Sequence, residues 1–275
     1  MKKIIFLVAI GFGITTGYAQ NPPGITTGDT LKSSVNTLKI PVDKTKHIAL
    51  TTSDASVDVE GYDGDDLIIE AVTNKLKMII PPEAEGLTHI KLNNRPAEDD
   101  TISYKLIADN NITISTKCKY LHIKVPNHLY LLSIDANDMS LGAYLSVKNL
   151  EGPFEIGSKT GGSIRTIYIS NLAGPFKVLG KGEKVIISNI LWNKDAVWPD
   201  RAGPWPYSVS SIGDIDITLP EDLKASITFF PQRGQVYSDL NFTAGAFELL
   251  TLNGGGVGIF SYNTGNGDTY LRKQK

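Results

Sequence analysis

The chain has 275 residues and a formal net charge of −2, with 27 basic and 29 acidic side chains. This balance lacks the dense positive charge that attracts nucleic acids and anionic membranes, so neither is expected as a partner. Cys118 is the single cysteine, so an internal disulfide is excluded and stability must come from an apolar core. No segment after the N-terminus has about eighteen uninterrupted apolar residues, so no transmembrane segment is predicted in the mature chain.

The N-terminus has the three parts of an export signal. Lys2 and Lys3 supply positive charge, residues 4–14 are apolar, and Gly17 and Ala19 stand at the two positions that signal peptidase reads. This pattern predicts a secretory signal peptide, residues 1–19. A transmembrane anchor is the alternative, but the apolar run is too short to cross about 30 Å of hydrocarbon. We therefore expect export to the periplasm or the cell surface.

The remainder of the chain is predicted to be a linker followed by one β domain. Residues 20–37 are polar and rich in proline and glycine, which predicts a linker. Residues 38–275 alternate short apolar runs with turn-forming residues, which predicts a single domain of β-strands without long helices. Residues 81–100 are polar and contain prolines, which predicts an inserted loop.

Two β-hairpins are predicted in the first half of the domain. Residues 56–60 alternate between apolar and polar side chains, residues 61–64 form a turn, and residues 67–69 continue the apolar pattern. Residues 101–107 and 112–115 predict the second hairpin.

One motif occurs twice in the middle of the chain. Residues 149–156 read NLEGPFEI and residues 171–178 read NLAGPFKV, at an offset of 22, and residues 187–190 (ISNI) echo residues 169–172 (ISNL). Such self-similarity is typical of architectures in which small coils stack and bury each other's apolar side chains. Because 18 of the 26 glycines lie between positions 142 and 267, this half is also rich in turns. The predicted fold class is all-β: a right-handed β-solenoid or β-roll of short strands with Gly-rich corners.

The repeat also predicts particular contacts. If the offset is one coil, Phe154 and Phe176 occupy equivalent inward positions and stack in adjacent coils, with Ile156 beside Val178.

Five short motifs together resemble a known family. They are DVEGYDGD at residues 58–65, IKVP at 123–126, GDIDITLP at 213–220, NGGG at 253–256 and GDTYLR at 267–272. In this order they resemble the DUF4097 family of adhesin-like proteins, related to the head GIN and auto-transporter adhesin-like domains. The resemblance covers residues 38–273 and implies an exported bacterial β-solenoid-like protein of the cell envelope. The family has no agreed catalytic residues, so the resemblance implies none here.

Two carboxylates are candidates for chemistry. Asp214 and Asp216 share one face of a strand, with their Cα atoms about 6.5–7 Å apart. Inverting glycosidases hold two carboxyl groups about 6.5–9.5 Å apart. A catalytic acid needs burial, however, and an alternating strand usually presents such residues to water. We expect both carboxylates to face solvent, with Ile215 and Ile217 buried.

No metal or cofactor is expected. Asp63, Asp65 and Asp66 lack the further spaced carboxylates of a calcium loop, and the four histidines do not have zinc-site spacing.

All three tryptophans lie between residues 191 and 207. Trp192, Trp198 and Trp205 are the candidate ligand-binding residues, because aromatic side chains on a loop can stack on sugar rings or anchor a protein partner. The alternative is that the loop folds back and its indoles cover part of the core.

The last strand is predicted at an open end of the stack. We expect Leu271 to pack inward, while Arg272, Lys273 and Lys275 lie at the exposed edge and discourage further strand pairing. A frayed basic tail is the alternative.

These features predict an exported, non-enzymatic envelope protein with an adhesin or structural role. A carbohydrate-binding module that uses the Trp-rich loop is the first alternative, and a polysaccharide-degrading enzyme on a β-solenoid is the second. The sequence does not identify a partner; a cell-surface glycan and an envelope protein are the two candidates.

Overall fold

The computed structural model describes most of the chain from residue 37 onward. The described residues are 37–53, 55–71, 102–107, 111–116, 118, 120–137, 143–157, 166–181, 184–199, 206–231, 233–245 and 248–274, with the backbone of three short N-terminal strands. Within these residues the protein is all-β and contains no helix.

The described strands, in chain order, are β1 (Phe6–Ala9), β2 (Gly17–Gln20), β3 (Thr30–Ser33), β4 (Thr37–Pro41), β5 (His47–Ser53), β6 (Ser56–Tyr62), β7 (Asp66–Ala71), β8 (Ile102–Ile107), β9 (Asn111–Thr116), β10 (Tyr120–Pro126), β11 (Leu131–Asn137), β12 (Tyr144–Lys148), β13 (Phe154–Gly157), β14 (Thr166–Ser170), β15 (Phe176–Leu179), β16 (Lys184–Ser188), β17 (Tyr207–Ser211), β18 (Asp214–Leu219), β19 (Ala225–Pro231), β20 (Val236–Ser238), β21 (Phe242–Ala244), β22 (Leu249–Leu252), β23 (Val257–Asn263) and β24 (Thr269–Lys273).

These strands form two mixed sheets of twelve strands each. The first sheet has the order β2-β1-β4-β7-β10-β6-β12-β14-β16-β18-β24-β20, and the second has the order β21-β22-β19-β23-β17-β15-β13-β11-β5-β9-β8-β3. Parallel pairs fill the middle of both sheets, and antiparallel pairs lie at both ends of the second sheet but only at the β2 end of the first.

The central strands follow the pattern that the repeat predicts. From β11 to β18, successive strands alternate between the two sheets, and each pairs in parallel with the strand two places later. Phe154 pairs with Phe176, and Ile156 pairs with Val178. The two phenylalanine rings stack with their centroids 5.6 Å apart. The predicted contacts between neighbouring copies of the motif are therefore confirmed.

Towards the N-terminus, spatial order departs from chain order. The predicted hairpin of β6 and β7 is wrong, because β10 lies between them, parallel to β6 and antiparallel to β7. The turn at residues 61–64 is present, with Gly64 N donating to Tyr62 O at 3.1 Å. Alternation of side chains fixes which face of each strand is buried, but not which strand lies beside it. The second hairpin is confirmed, since β8 and β9 pair antiparallel.

The last two strands are also inserted between earlier strands. Strand β23 lies between β17 and β19, and β24 lies between β18 and β20. Leu271 is fully buried, as predicted. The prediction that Arg272 and Lys273 lie at an open edge is wrong, because β24 has β18 on one side and β20 on the other. Arg272 instead pairs with Asp216 and Lys273 with Glu221, and Lys275 lies outside the described residues.

Apolar side chains from both sheets form one continuous core that extends from Leu38 to Leu271. The Cys118 thiol is buried in it, and its Sγ donates to Tyr120 O at 3.1 Å. The described part of the chain contains no helix with the length and apolarity needed to cross a membrane.

Several predictions fall outside the described residues. Of the predicted signal peptide, the structure gives only the backbone of β1 and β2, and the predicted loop at residues 81–100 is not described. Within the predicted linker, β3 pairs antiparallel with β8.

Candidate binding groove

The repeated motif builds a stack of similar corners. Asn149, Asn171 and Asn189 each follow directly after a strand of the first sheet, and their φ angles are 55°, 54° and 52°. Asparagine is one of the few residues with a side chain that adopts this left-handed conformation readily. Each asparagine therefore ends its strand and turns the chain towards the second sheet.

The glycine of the motif allows neighbouring corners to approach closely. Gly152 and Gly174 have φ angles of 120° and 121°. Gly152 N donates to Ala173 O at 2.8 Å, and a Cβ atom on Gly174 would lie 2.6 Å from Gly152 O. A side chain at Gly174 would therefore collide with the backbone of the preceding corner.

Two of the three asparagine side chains are linked to each other. Asn171 Nδ2 donates to Asn149 Oδ1 at 3.1 Å, and Asn149 Nδ2 donates to Glu60 Oε1 at 3.0 Å. Further along the stack, Gln274 Nε2 donates to Asn189 Oδ1 at 3.2 Å. These hydrogen bonds fix the side-chain amides in a row along the stacking direction.

A groove of about 560 Å³ runs across these corners. Its walls come from five successive turns of the stack: residues 61–63, Asn127, residues 149–151, residues 171–173, and Asn189 with Leu191. Asparagine side chains and apolar side chains both line this surface, and Leu191, at one end, is 70% exposed. We call this surface the asparagine groove.

The charged groups at the groove are paired. Asp63 Oδ1 accepts from Asn127 Nδ2 at 3.3 Å, and Glu151 contacts the His128 ring at 3.1 Å. Asn127 Oδ1 is buried and has no hydrogen-bond partner among the described residues. The groove therefore offers the amide donors and acceptors of its asparagine side chains to a ligand.

Glu60 accepts the hydrogen bond of Asn149, at one end of the row of amides. Burial tends to raise the pKa of Glu60, but the hydrogen bond from Asn149, the charge of Lys148 and the hydrogen bond from His122 outweigh it and lower that pKa. Glu60 therefore remains an ionised acceptor that orients the Asn149 amide.

The Trp-rich loop begins at the end of the groove. After Leu191, the Trp192 ring packs against Phe176 and Tyr207, with ring centroids 5.9 and 4.9 Å away. Trp192 is half-buried, and its Nε1 is buried without a partner among the described residues. Trp198 is also half-buried, and Trp205 lies outside the described residues. The structure thus places Trp192 on the core, next to the Leu191 end of the groove.

The two candidate carboxylates do not behave alike. Ile215 and Ile217 are fully buried, as predicted. The expectation that both carboxylates face solvent is wrong for Asp216, which is 9% exposed and contacts Arg272 Nε at 2.9 Å and Lys184 Nζ at 3.6 Å. The two long cationic side chains, from the flanking strands β16 and β24, cover this carboxylate. Asp214 is half-buried and accepts a backbone hydrogen bond.

The described residues bring together no group of three or more metal-ligating side chains. In the acidic turn, Asp65 pairs with Lys44 and Asp66 pairs with Lys39.

The sequence analysis did not identify the groove. Its signal was nevertheless present, since an asparagine follows a short apolar strand three times within the repeat region.

Comparison with known proteins gives few matches. No family model matches this chain, and no curated protein matches it, so the DUF4097 resemblance stays a prediction. Among solved structures, it is similar to a protein from Clostridium sporogenes ATCC 15579 described as "a putative cell adhesion protein". The two are 12% identical, the match covers 90% of this chain and all of the other, and the TM-score is 0.38.

Proposed function

We propose that this chain is an exported, non-enzymatic protein of the bacterial envelope, with an adhesin or interaction role, built as a right-handed β-solenoid. The observation that carries this proposal is the asparagine groove, which repeats one amide at the corners of neighbouring coils. Because stacked strands repeat about every 4.8 Å, the groove suits an extended polar chain better than a compact small molecule.

The chemistry of the groove supports a binding role. Asparagine amides donate and accept hydrogen bonds but do not exchange protons with a substrate near neutral pH. The carboxylates at the groove, Asp63 and Glu151, contact Asn127 and His128. An uncharged polar segment of a cell-surface glycan or of an envelope protein therefore fits this surface.

One observation favours the carbohydrate-binding alternative. Leu191 lines the groove and is also the first residue of the loop that holds Trp192, Trp198 and Trp205. A sugar chain in the groove would thus reach the start of the Trp-rich loop. In this variant of the proposal, the part of the loop after Trp192 adds aromatic contacts to the glycan, while Trp192 itself packs on Phe176 and Tyr207.

The test is removal of the amides without disturbing the corners. Glycine adopts the left-handed conformation freely, so a variant with Asn149→Gly, Asn171→Gly and Asn189→Gly should keep the backbone and lose the side chains. We would measure binding of the chain from Gln20 onward to isolated envelopes and to a glycan array. We expect the triple variant to lose about tenfold or more in affinity.

The matched control is Asn253→Gly. Asn253 also follows a strand with φ 52° but does not line the groove. It should bind like the unaltered protein. Retained binding in a folded triple variant, or no binding by the unaltered protein to either probe, would overturn the proposal. A variant lacking residues 192–205 would show whether the Trp-rich loop contributes.

A further inference from the structure

The far end of the first sheet carries a second distinctive surface. Strand β20 is the last strand in that sheet and pairs with β24. Tyr237 is its central residue, and Gln235 and Asp239 directly flank the strand; by alternation all three lie on the outward face, and all three are exposed. Tyr237 pairs with Tyr270 of β24, which pairs in turn with Asp216 of β18.

The two tyrosines form part of an ordered stack. Their rings are nearly parallel, at 16°, with centroids 5.5 Å apart. Arg272 Cζ lies 5.2 Å from the Tyr270 ring centroid, and Arg272 Nε donates to Asp216 on the opposite side of β24 from Tyr237. Tyr270 is thus held between a guanidinium group and Tyr237.

Tyr237 is the open end of this stack. Among the described strands, none lies beyond β20, and Tyr237 is 51% exposed. One face of its ring rests on Tyr270, and the other face is available at the edge of the sheet. The stack behind it orients Tyr237 before any ligand arrives, which lowers the cost of ordering it on binding.

Polar groups flank this open ring at fixed positions. Asp239 Oδ1 accepts from Lys273 N at 2.6 Å, which leaves Oδ2 as a second acceptor. Gln235 N donates to Asp268 Oδ1 at 2.8 Å, which fixes the backbone that carries the Gln235 amide. An aromatic face with a carboxylate on one side and an amide on the other matches a ring that has an apolar face and a hydroxylated rim.

We propose that Tyr237 is the platform for one pyranose ring of a neutral glycan, with Asp239 and Gln235 binding its hydroxyl groups. The C–H face of the sugar packs on the open face of Tyr237 and continues the stack. Asp214, Asp239 and Asp268 lie on the same outward face, whereas the cations Arg272 and Lys184 are paired with Asp216, so a neutral sugar is favoured over an acidic one. The site shares no residue with the asparagine groove and does not depend on what the groove binds.

The edge itself is poorly suited to an added β-strand. Strand β20 has only three residues and is followed by the exposed Asp239. Short edge strands and charged residues are common means by which proteins prevent strand addition. A ring stacked on Tyr237 is therefore favoured over a second copy of the chain.

The test is a glycan array with neutral, acidic and amino sugars, followed by titration of the best neutral oligosaccharide. Tyr237→Ala should weaken binding about tenfold or more, whereas Tyr237→Phe keeps the ring and should bind within about threefold of the unaltered protein. Tyr168→Ala is the control, since Tyr168 is a 44% exposed tyrosine in the middle of the same sheet. Thermal unfolding of each variant would verify the fold, and Tyr237→Ser would replace Tyr237→Ala if alanine impaired it.

The outcomes separate this inference from the proposed function. If Tyr237→Ala loses glycan binding and the triple asparagine variant keeps it, the result supports the Tyr237 platform. If only the triple asparagine variant loses glycan binding, the platform is overturned and the asparagine groove remains the binding site. Preference for amino sugars, or a dimer in solution that requires Tyr237, would also overturn it.

Discussion

At the scale of single residues, the corners use asparagine and glycine to provide the positive φ angles that the turns require. Asn149 and Asn171 supply a left-handed turn together with a side chain that reaches the neighbouring corner. Gly152 and Gly174 supply positive φ angles, and at Gly174 a side chain would collide with the backbone of the neighbouring corner. Asparagine is therefore placed where the side chain is useful, and glycine where it would collide.

Gly174→Ala should strongly destabilise the protein. The new Cβ would lie 2.6 Å from Gly152 O at a φ of 121°, so both a collision and backbone strain result. We expect a loss of about 2 kcal/mol or more in the free energy of unfolding, measured by urea denaturation. Gly157→Ala is the control, because its Cβ would meet Leu179 at an ordinary 3.7 Å. Equal effects of the two substitutions would contradict this account.

At the scale of strands, charged side chains join neighbours on the outward face of the first sheet. Glu60 of β6 contacts His122 of β10 at 3.2 Å and Lys148 of β12 at 3.5 Å, and it accepts from Asn149. His122 also contacts Glu70 of β7 at 3.3 Å. One network therefore spans four adjacent strands at the position where β10 is inserted.

The protein should lose stability in acid through Glu60. Its folded-state pKa lies below its ordinary value of 4.5, so the ionised carboxylate stabilises the fold. That contribution is complete above this ordinary value and is lost as pH falls through the lower folded-state pKa. Glu60→Gln should therefore flatten the decline in melting temperature between about pH 6 and about pH 3. Glu221→Gln changes a mostly exposed side chain and should leave the dependence of melting temperature on pH unchanged. If Glu60→Gln also left that dependence unchanged, Glu60 would not be the source of the acid sensitivity.

The strands also show what could be predicted from the sequence. Alternation correctly predicted the buried positions Ile215 and Ile217, because the side-chain period of a strand is a local property. The repeat correctly predicted that Phe154 stacks on Phe176. Burial of Asp216 was missed because Lys184 and Arg272 come from other strands, whose positions depend on the register of the whole sheet.

At the scale of the whole molecule, the order of the strands was easier to predict in the centre of the sheets than at their ends. In the centre, each strand pairs with the strand two places later, so the self-similarity of the sequence reveals which residues lie beside each other. At both ends, a later strand is inserted between earlier ones, as with β10 and β24. No local pattern encodes such an insertion, and for that reason the first hairpin and the C-terminal edge were mispredicted. The groove was missed because it forms only when five separate corners align.

Removal of the last strand should affect the interior of the sheet rather than its end. A chain that stops at residue 268 lacks β24, so β18 and β20 lose their shared partner, and Leu271 is lost from the core. We expect no cooperative unfolding transition in calorimetry. A chain that stops at residue 273 keeps β24 and should unfold almost as the full chain does. A normal transition in the shorter protein would show that β24 is dispensable.

The insertion of β23 and β24 also determines when folding can be completed. A polypeptide emerges from the ribosome, or from an export channel, with its N-terminus first. Strands β17 to β20 are then available before the segment that must lie between them. Until residues 257–273 arrive, these strands have open edges that can pair wrongly or be held by a chaperone. The C-terminal part of both sheets therefore cannot be completed strand by strand as the chain emerges, but only after almost its last residue has arrived.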